Sequence, residues 1–292
     1  DSETHPLISP DDEFADYETW GNYVDRSKTA AAADGKSPGT PSVELASQSY
    51  LRSALKLGLQ FQETLGVNPF KLGMIGSTDS HTGLSTADED NFWGKMGANE
   101  PGQYRAAALG VFTSSGYAAV WAEENTRASL FAAIKRREVY ATTGPRITLR
   151  FFGGWNYTDA DAESPEFASI GYSKGVPMGG DLVRAAGSGA PAFLIRAVKD
   201  PDGANLDRVQ VVKGWRDAAG ALQEKIYDVA WSDQRKPGPT GKLPPLASTV
   251  DRLTATYRNS VGEAELAVAW VDPEFKATET AFYYVRVIEI AT

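Results

Sequence analysis

Hydrophobic positions in the first half of the chain repeat at helical spacing and then close up into a short apolar run. Residues 43–65 predict a long amphipathic helix that ends at Gly66, because glycine readily adopts the left-handed conformation that follows a helix. Residues 72–76, an apolar run bounded by turn formers, predict a buried strand. The order helix, turn, strand and polar loop is typical of an α/β architecture.

The same alternation continues to residue 146. Residues 82–102 predict a long loop, and residues 110–121 contain a weak strand pattern. A helix is predicted over residues 127–137, capped by Thr126, with four apolar residues facing inward: Leu130, Phe131, Ala133 and Ile134. Residues 139–146 then predict a strand that is closed by a Gly-Pro turn.

Beyond residue 146 the apolar positions alternate with a period of two, which is the pattern of half-buried strands. We therefore predict an antiparallel β-sandwich over residues 147–292, appended to an α/β domain over residues 1–146. The strands are predicted at residues 147–152, 192–198, 208–213, 225–231, 265–270 and 282–288.

Composition and charge restrict the possible functions. With 292 residues, 42% of them hydrophobic, the chain can bury a sizeable core. A net charge of -9 disfavours nucleic acid and anionic membrane surfaces as the main partners. A small-molecule substrate is the partner that we expect. The absence of cysteine excludes a thiol nucleophile, and any metal must be bound by histidines and carboxylates. It also suits a periplasmic or secreted protein. No apolar stretch approaches the roughly 20 residues that cross a bilayer.

Asp79 and His81 follow the predicted strand at residues 72–76 and are the first candidates for chemistry. Side chains two residues apart in an extended segment project to the same side, so both could reach one divalent cation. A catalytic zinc site normally has three protein ligands, and the remainder would have to come from other segments. The alternative is structural: Asp79 caps a turn through its own backbone, and His81 is a hydrogen-bonded loop residue.

Glu3 and His5 form the second candidate group, in a strip that contains the other of the two histidines. Either side chain could complete a metal shell if this strip lies beside the strand that precedes Asp79. The alternative is a frayed, solvated chain end.

Two features of the second half suggest function less strongly. Residues 200–203, Asp-Pro-Asp-Gly, resemble part of a calcium loop but predict a hairpin turn, because the glycine comes two positions too early and no glutamate closes the loop. Four tryptophans could line a carbohydrate-binding face, although such residues more often fill a sandwich core: Trp155, Trp215, Trp231 and Trp270.

Several motifs taken together resemble a known family over essentially the whole chain. These are residues 2–6 (Ser-Glu-Thr-His-Pro), residues 68–71 (Asn-Pro-Phe-Lys), residues 76–83 with Asp79 and His81, Thr126-Arg127, and residues 136–146. The chain resembles the C-terminal two thirds of proteins grouped as domain of unknown function 3604. That group looks like a branch of the PHP (polymerase and histidinol phosphatase) superfamily of metal-dependent hydrolases.

The resemblance implies the closing part of a distorted (β/α)7 barrel in residues 1–146, holding divalent zinc, manganese or iron. It implies metal ligation by Asp79 and His81, with Glu3 and His5 as further ligands. It also implies catalytic roles for His81 and Glu3. The PHP pattern begins with a His-x-His pair that this chain lacks, so we expect the chain to be N-terminally incomplete. An open barrel edge would favour association, including homo-oligomers.

The function implied is hydrolysis of a phosphate ester or a related substrate by a metal-activated water, in the complete protein. Arg127 and Arg146 are candidates for contacts to a substrate anion, although Arg127 could equally be a solvated surface residue. Two alternatives stay open. The chain could be a non-catalytic binding or structural module, or inactive as a fragment, or it could hydrolyse amide bonds as amidohydrolases do.

Overall fold

A computed structural model describes residues 12, 50–78, 80, 83, 116–184, 187, 189–239, 242–254 and 256–292 of the chain. Two compact units are distinguished by their internal contacts. The first unit draws on Asp1–Lys71, Ile75–Ala119 and Ala141–Gly144, and the second on Leu72–Met74, Val120–Tyr140 and Pro145–Thr292. The predicted boundary at residue 146 stays a prediction.

Helix α1, Leu51–Leu65, is the main described element of the first unit. It ends where the sequence predicts, because Gly66 has a φ of 77° and its N–H donates to the Gln62 carbonyl. Arg52 is buried on this helix, and its Nη2 lies 2.9 Å from Asp12 Oδ2. The predicted helical residues 43–49, the loop at 84–102 and the N-terminal strip lie outside the described residues.

The predicted buried strand at residues 72–76 is wrong. This segment has no regular secondary structure, and the side chains of Leu72 and Ile75 are 46% and 58% exposed. Gly73 and Gly76 interrupt the apolar run, and glycine weakens a strand because it has no side chain to pack and costs more backbone entropy to order.

Three elements follow in the order strand, helix, strand. They are β1 (Tyr117–Val120), α2 (Arg127–Lys135) and β2 (Val139–Thr142), and the two strands pair with each other in a two-stranded sheet. Thr126 caps α2 as predicted, since its side chain accepts a hydrogen bond from the Ser129 N–H.

The inward face predicted for α2 is only partly correct. Ala133 is fully buried, but Phe131 and Ile134 are 68% and 51% exposed. Within the described ranges no sheet closes into a barrel, and the predicted barrel stays a prediction.

Two antiparallel sheets form most of the second unit, and all six predicted strands are present. One sheet has the order β4-β3-β5-β8, and the other has the order β7-β6-β9. The bounds are Thr148–Gly154 for β3, Gly175–Pro177 for β4, Ala192–Val198 for β5, Leu206–Arg216 for β6, Leu222–Trp231 for β7, Glu265–Val271 for β8 and Thr280–Glu289 for β9. The arrangement is compatible with the predicted sandwich.

Both faces of β5 are buried, because residues on each face pack against a different apolar cluster. Phe193, Ile195 and Ala197 face the core between the sheets, together with Val209 and Val211 of β6. The alternate residues of β5, including Leu194, pack against a second apolar cluster with Phe152, Tyr157, Ala162 and Phe167. Two helices that the sequence analysis did not predict supply part of this cover: α3 (Asp159–Glu163) and α4 (Phe167–Lys174).

The turn predicted at residues 200–203 is confirmed, but the predicted hairpin is wrong. The Asp200 carbonyl accepts a hydrogen bond of 3.0 Å from the Gly203 N–H. The turn joins β5 to β6, which belong to different sheets. Both edges of β5 are already paired, to β3 and β8, so β6 cannot pair with β5 to form a hairpin. Trp270 packs on Phe193 and Tyr227 in the sandwich, as a core residue would.

Candidate functional site

The structure describes only two of the six predicted site residues. Glu3, His5, Asp79 and His81 lie outside the described residues. Arg127 is the first residue of α2 and is exposed. Arg146 is also exposed, and its main-chain N–H donates a 2.6 Å hydrogen bond to Asp200 Oδ2 in the turn between β5 and β6. The roles predicted for all six residues stay predictions.

The segment immediately before Asp79 is held by main-chain hydrogen bonds. The Gly76 N–H donates to the Tyr117 carbonyl at 3.2 Å, and the Gly116 N–H donates to the Ser77 carbonyl at 3.0 Å. Although this segment is not a regular strand, the two bonds attach it to the beginning of β1. The main chain two and three residues before Asp79 is therefore held in place.

Three segments of the main chain approach one another so closely here that only glycine fits at residues 76 and 116. A Cβ atom on Gly76 would lie 2.5 Å from the Thr142 carbonyl oxygen and 2.7 Å from that of Tyr117. A Cβ atom on Gly116 would lie 2.7 Å from the same Thr142 oxygen. We call these residues, Gly76, Ser77, Gly116, Tyr117 and Thr142, the Gly76 junction. Its atoms in contact are main-chain atoms, so a side chain at either glycine would force the backbones apart.

A local hydrogen bond also spans the sequence position of Asp79. The Ser80 N–H donates to Thr78 Oγ1 at 3.3 Å, the pattern by which serine and threonine stabilise turns. Thr78 and Ser80 are both half-buried. The main chain is thus held before Asp79 at the Gly76 junction, and Ser80 bonds back to Thr78.

Thr142, the last residue of β2, places a buried hydroxyl at the junction. The residue is 8% exposed, and its Oγ1 has no hydrogen-bond partner among the residues that the structure describes. A buried hydroxyl without a partner costs about 1–3 kcal/mol of stability, so such groups are uncommon in folded proteins. Sequence reasoning missed Thr142, since nothing in the pattern Tyr-Ala-Thr-Thr-Gly-Pro separates it from a structural strand residue.

Within the described part of the chain, no three histidine or carboxylate side chains come close enough to hold a metal ion. All four predicted ligands lie outside that part, so the metal site stays a prediction. Among the same residues, no helix is both long enough and apolar enough to span a membrane.

Comparison with protein families decides the relationship of the chain. The family model described as protein of unknown function, DUF3604, matches residues 1–292. The chain belongs to the DUF3604 family. Neither a curated protein nor a solved structure matches it. The family assignment predicted from the sequence motifs is thereby confirmed.

Outside the Gly76 junction, this DUF3604 chain buries an ionic cluster that joins β6 and β9 to the residue after β8. Lys213 Nζ contacts Asp272 Oδ2, and the Tyr283 hydroxyl donates to the same oxygen at 2.7 Å. Burial, followed by the hydrogen bond to Asp272, raises the pKa of Tyr283. A cavity of about 390 Å³ lies beside the cluster, lined by Trp215, Pro273, Glu274, Phe275, Lys276 and Glu279.

The charged groups around this cavity pair with one another. The Glu274 carboxylate contacts Lys225 and the Tyr227 hydroxyl, and Lys276 Nζ lies 3.1 Å from Glu279 Oε1. Each of these charged groups has a partner among the described residues, which is a structural arrangement. The DUF3604 chain therefore has a better supported functional candidate at the Gly76 junction.

A second buried carboxylate lies in the stretch of charged residues after α2. Glu138 is 3% exposed and accepts a hydrogen bond from the Tyr172 hydroxyl, while Arg136 Nη2 lies 3.2 Å from its other oxygen. Burial and the contact with Glu138 raise the pKa of Tyr172. Arg150 completes the group by donating to the Tyr172 oxygen at 3.0 Å. The group ties Glu138, the residue before β2, to α4, which is a structural role.

Proposed function

We propose that the protein is a metal-dependent hydrolase of the phosphoesterase type, with its site at the loop that contains Asp79 and His81. The observation that carries the proposal is the Gly76 junction, which attaches the chain to β1 and β2 three residues before Asp79. Ligands bind a metal ion tightly only when the main chain that carries them is held in place. Membership of the DUF3604 family is consistent with this proposal and names no activity.

The donor set fits a divalent transition metal. One imidazole and one carboxylate, two residues apart, are ligands that zinc, manganese and iron accept, and Glu3 and His5 offer the same two chemistries. A cation bound there would supply a water of lowered pKa and would stabilise negative charge on the substrate. In this proposal Asp79 and His81 hold the cation, and Glu3 ligates it or accepts a proton from the attacking water.

We also propose a fold, a substrate class, a location and a mode of association for the protein. The alternation of α1, β1, α2 and β2 supports the closing part of a PHP-like barrel, and the two sheets after it support a β-sandwich domain. We propose a small-molecule substrate, a periplasmic or secreted location, and association through apolar surface such as Phe131 and Ile134 on α2. Arg127 and Arg146 stay candidates for anion contacts, but the proposal does not depend on them.

Hydrolysis of model substrates tests the reaction. Purified protein is incubated with zinc, manganese or iron and with bis(p-nitrophenyl) phosphate, p-nitrophenyl phosphate or p-nitroacetanilide. We expect phosphoester cleavage that stops on addition of a chelator and falls at least 100-fold in Asp79→Ala and His81→Ala. Asp202→Ala is the matched control, because Asp202 is an exposed turn carboxylate in the second unit.

Cleavage of the anilide alone would favour the amide-hydrolase alternative. Cleavage that persists in Asp79→Ala would rule out the proposed site. A protein that cleaves none of the three substrates and binds no metal would support the alternative of a non-catalytic module.

A further inference from the structure

A cavity of about 390 Å³ lies where β6 ends, in the part of the chain that the structure describes. Pro273, Glu274 and Lys276 of its wall are exposed, so solvent reaches the cavity. Cavities of about 300–1,000 Å³ hold small molecules in other proteins. The wall consists of one residue of β6 and five residues of the segment that joins β8 to β9: Trp215, Pro273, Glu274, Phe275, Lys276 and Glu279.

Two aromatic side chains give this cavity its apolar surface. Trp215 and Phe275 are half-buried, so part of each residue stays accessible. Phe275 packs against the ring of Trp155, with the ring centroids 6.2 Å apart and the ring planes at 68°. Lys213 Nζ lies 5.1 Å from the centroid of the Trp215 ring. Because neighbouring side chains already hold both rings, stacking of a ligand on them costs little conformational entropy.

The Glu279 side chain supplies an acceptor that the fold does not use. It is only 4% exposed, and its Oε1 accepts a 3.1 Å hydrogen bond from Lys276 Nζ. Its Oε2 has no hydrogen-bond partner among the described residues, yet this oxygen is not sealed from solvent. Buried polar groups normally have hydrogen-bond partners. Since Glu279 lines the cavity, a ligand bound there could supply the missing donor.

Glu274 is a second acceptor, and two neighbours hold it in place. Its carboxylate contacts Lys225 Nζ and accepts a 3.0 Å hydrogen bond from the Tyr227 hydroxyl. The hydrogen bond from Lys225 lowers the pKa of Glu274, so the group is ionised at neutral pH. Each carboxylate oxygen can accept more than one hydrogen bond, and this side chain is 48% exposed. The two contacts therefore position the carboxylate without using all of its acceptor capacity.

The charges around the cavity favour a neutral ligand. Each carboxylate is paired with a lysine, Glu274 with Lys225 and Glu279 with Lys276. A cation would compete with a lysine for its carboxylate, and an anion would approach two carboxylates, so either would weaken an existing ion pair. A hydroxyl group donates to a carboxylate or accepts from an ammonium group without adding a charge. Acceptors and donors beside two aromatic walls therefore suit a molecule with many hydroxyls and apolar C–H faces.

We propose that this cavity binds a neutral carbohydrate. A sugar ring stacks its C–H face on Trp215 or Phe275. Its hydroxyl groups donate to the Glu279 and Glu274 carboxylates. The binding needs no metal ion, so it is independent of the proposed hydrolase function. Of the four tryptophans considered as a carbohydrate-binding face, Trp215 lines the cavity and Trp155 supports it through Phe275.

Saturation-transfer NMR tests the binding with neutral sugars: glucose, galactose, mannose, N-acetylglucosamine, maltose and cellobiose. The chelator EDTA is present throughout, so the result does not depend on a metal site. We expect at least one sugar to bind, with saturation of its C–H protons. Its affinity should change by less than about twofold between about 0.05 M and about 0.5 M sodium chloride, because ionic screening has little effect on a neutral ligand.

Two variants test whether the sugar occupies this cavity. Trp215→Leu removes the stacking surface, and Glu279→Gln removes the charge of the acceptor while keeping the shape of its side chain. For the sugar that binds best, we expect the affinity to be at least about tenfold weaker in Trp215→Leu and about tenfold weaker in Glu279→Gln.

Matched substitutions elsewhere in the second unit are the controls. Trp231 pairs with Arg208, at the end of β6 remote from Trp215, and Glu265 of β8 lies 3.0 Å from Arg196 Nε. Trp231→Leu and Glu265→Gln should bind the sugar within about threefold of the original protein. Thermal unfolding followed by circular dichroism shows which variants are folded. If Trp215→Leu does not fold, Glu279→Gln decides the result.

Three outcomes would overturn the inference. The first is failure of every sugar to bind. The second is unchanged sugar affinity in either folded variant, since the sugar would then bind elsewhere. The third is binding of choline or inorganic phosphate in place of sugar, weakening as salt rises, which would indicate a site for an ion. A protein that binds sugar in EDTA but hydrolyses no substrate with metal present would retain the carbohydrate site and lose the proposed function.

Discussion

Lys213 Nζ lies 2.6 Å from Asp272 Oδ2, and the two side chains are only 2% and 0% exposed. The surrounding groups satisfy both partners: Lys213 also donates to the Glu274 carbonyl at 3.1 Å, and Asp272 Oδ1 accepts from the Glu274 N–H at 2.9 Å. The Tyr283 hydroxyl adds a further hydrogen bond to Asp272. A charge pair buried this completely stabilises the fold only while both charges are present.

Removing both charges should therefore destabilise the protein by less than the sum of the two single removals. We expect Lys213→Met and Asp272→Asn each to lower the free energy of unfolding by about 3–5 kcal/mol, because each leaves an uncompensated buried charge. The double variant should lose less than the sum of the two, by about 0.5–3 kcal/mol. Urea unfolding of the four proteins measures these differences, and strictly additive losses would contradict the description of the pair as coupled.

Asp161 links α3 to α4 and should contribute to stability in a pH-dependent way. Lys174 Nζ lies 2.7 Å from Asp161 Oδ1, and the Thr158 N–H donates to Oδ2 at 2.9 Å. The hydrogen bond from Lys174, with those from Thr158, holds the pKa of Asp161 below its ordinary value of 3.8. A carboxyl group whose pKa is lower in the folded state stabilises the protein above the unfolded-state pKa. That stabilisation is lost as the pH falls through the folded-state pKa.

We accordingly expect Asp161→Asn to lower the unfolding midpoint at pH 7 and to make the midpoint less dependent on pH below about 4. Asp159→Asn is the control, because Asp159 is exposed in the first turn of the same helix. Thermal unfolding followed by circular dichroism between pH 2 and pH 7 supplies the measurement. Parallel curves for the original protein and Asp161→Asn below pH 4 would show that Asp161 makes no such contribution.

Gly76→Ala should disrupt the junction before Asp79. The new methyl group would approach the Thr142 and Tyr117 carbonyl oxygens to 2.5 Å and 2.7 Å, and both belong to the backbone, so the strands would have to move. We expect a loss of about 1–3 kcal/mol in the free energy of unfolding. Gly83→Ala is the control, since a Cβ atom there has no neighbour within 4 Å, and it should change stability by less than about 0.5 kcal/mol. Equal stability of the two variants would contradict the close approach at Gly76.

Much of the second unit could be predicted because successive side chains of a strand point to opposite faces. Burial of one face therefore produces a period-two pattern of apolar residues in the sequence. That rule identified all six predicted strands, and it also places Lys213 on the face of β6 that carries Val209 and Val211, so its burial was accessible from the sequence. The short helices α3 and α4 were missed because they cover the outer face of β5, a tertiary requirement. The local signals for α3 were the capping box formed by Thr158 and Asp161 and the acidic residues of its first turn.

The first half was harder to predict because apolar residues there do not all become buried. Leu72, Ile75, Phe131 and Ile134 follow the patterns of inward-facing residues, yet all four are exposed. Local pattern identifies a face that could be buried, but the neighbouring elements decide whether it is covered. The Gly76 junction depends on three segments that are distant in the sequence, so its glycines have no local signal that separates them from turn residues.

The metal content of the purified protein tests the central proposal most directly. After dialysis against buffer without metal, elemental analysis is carried out on the original protein, Asp79→Ala, His81→Ala and the control Asp202→Ala. We predict that the original protein and Asp202→Ala retain zinc, manganese or iron at one ion or more per chain, and that both site variants lose it. A folded original protein without metal, or an Asp79→Ala variant that retains it in full, would contradict the proposal.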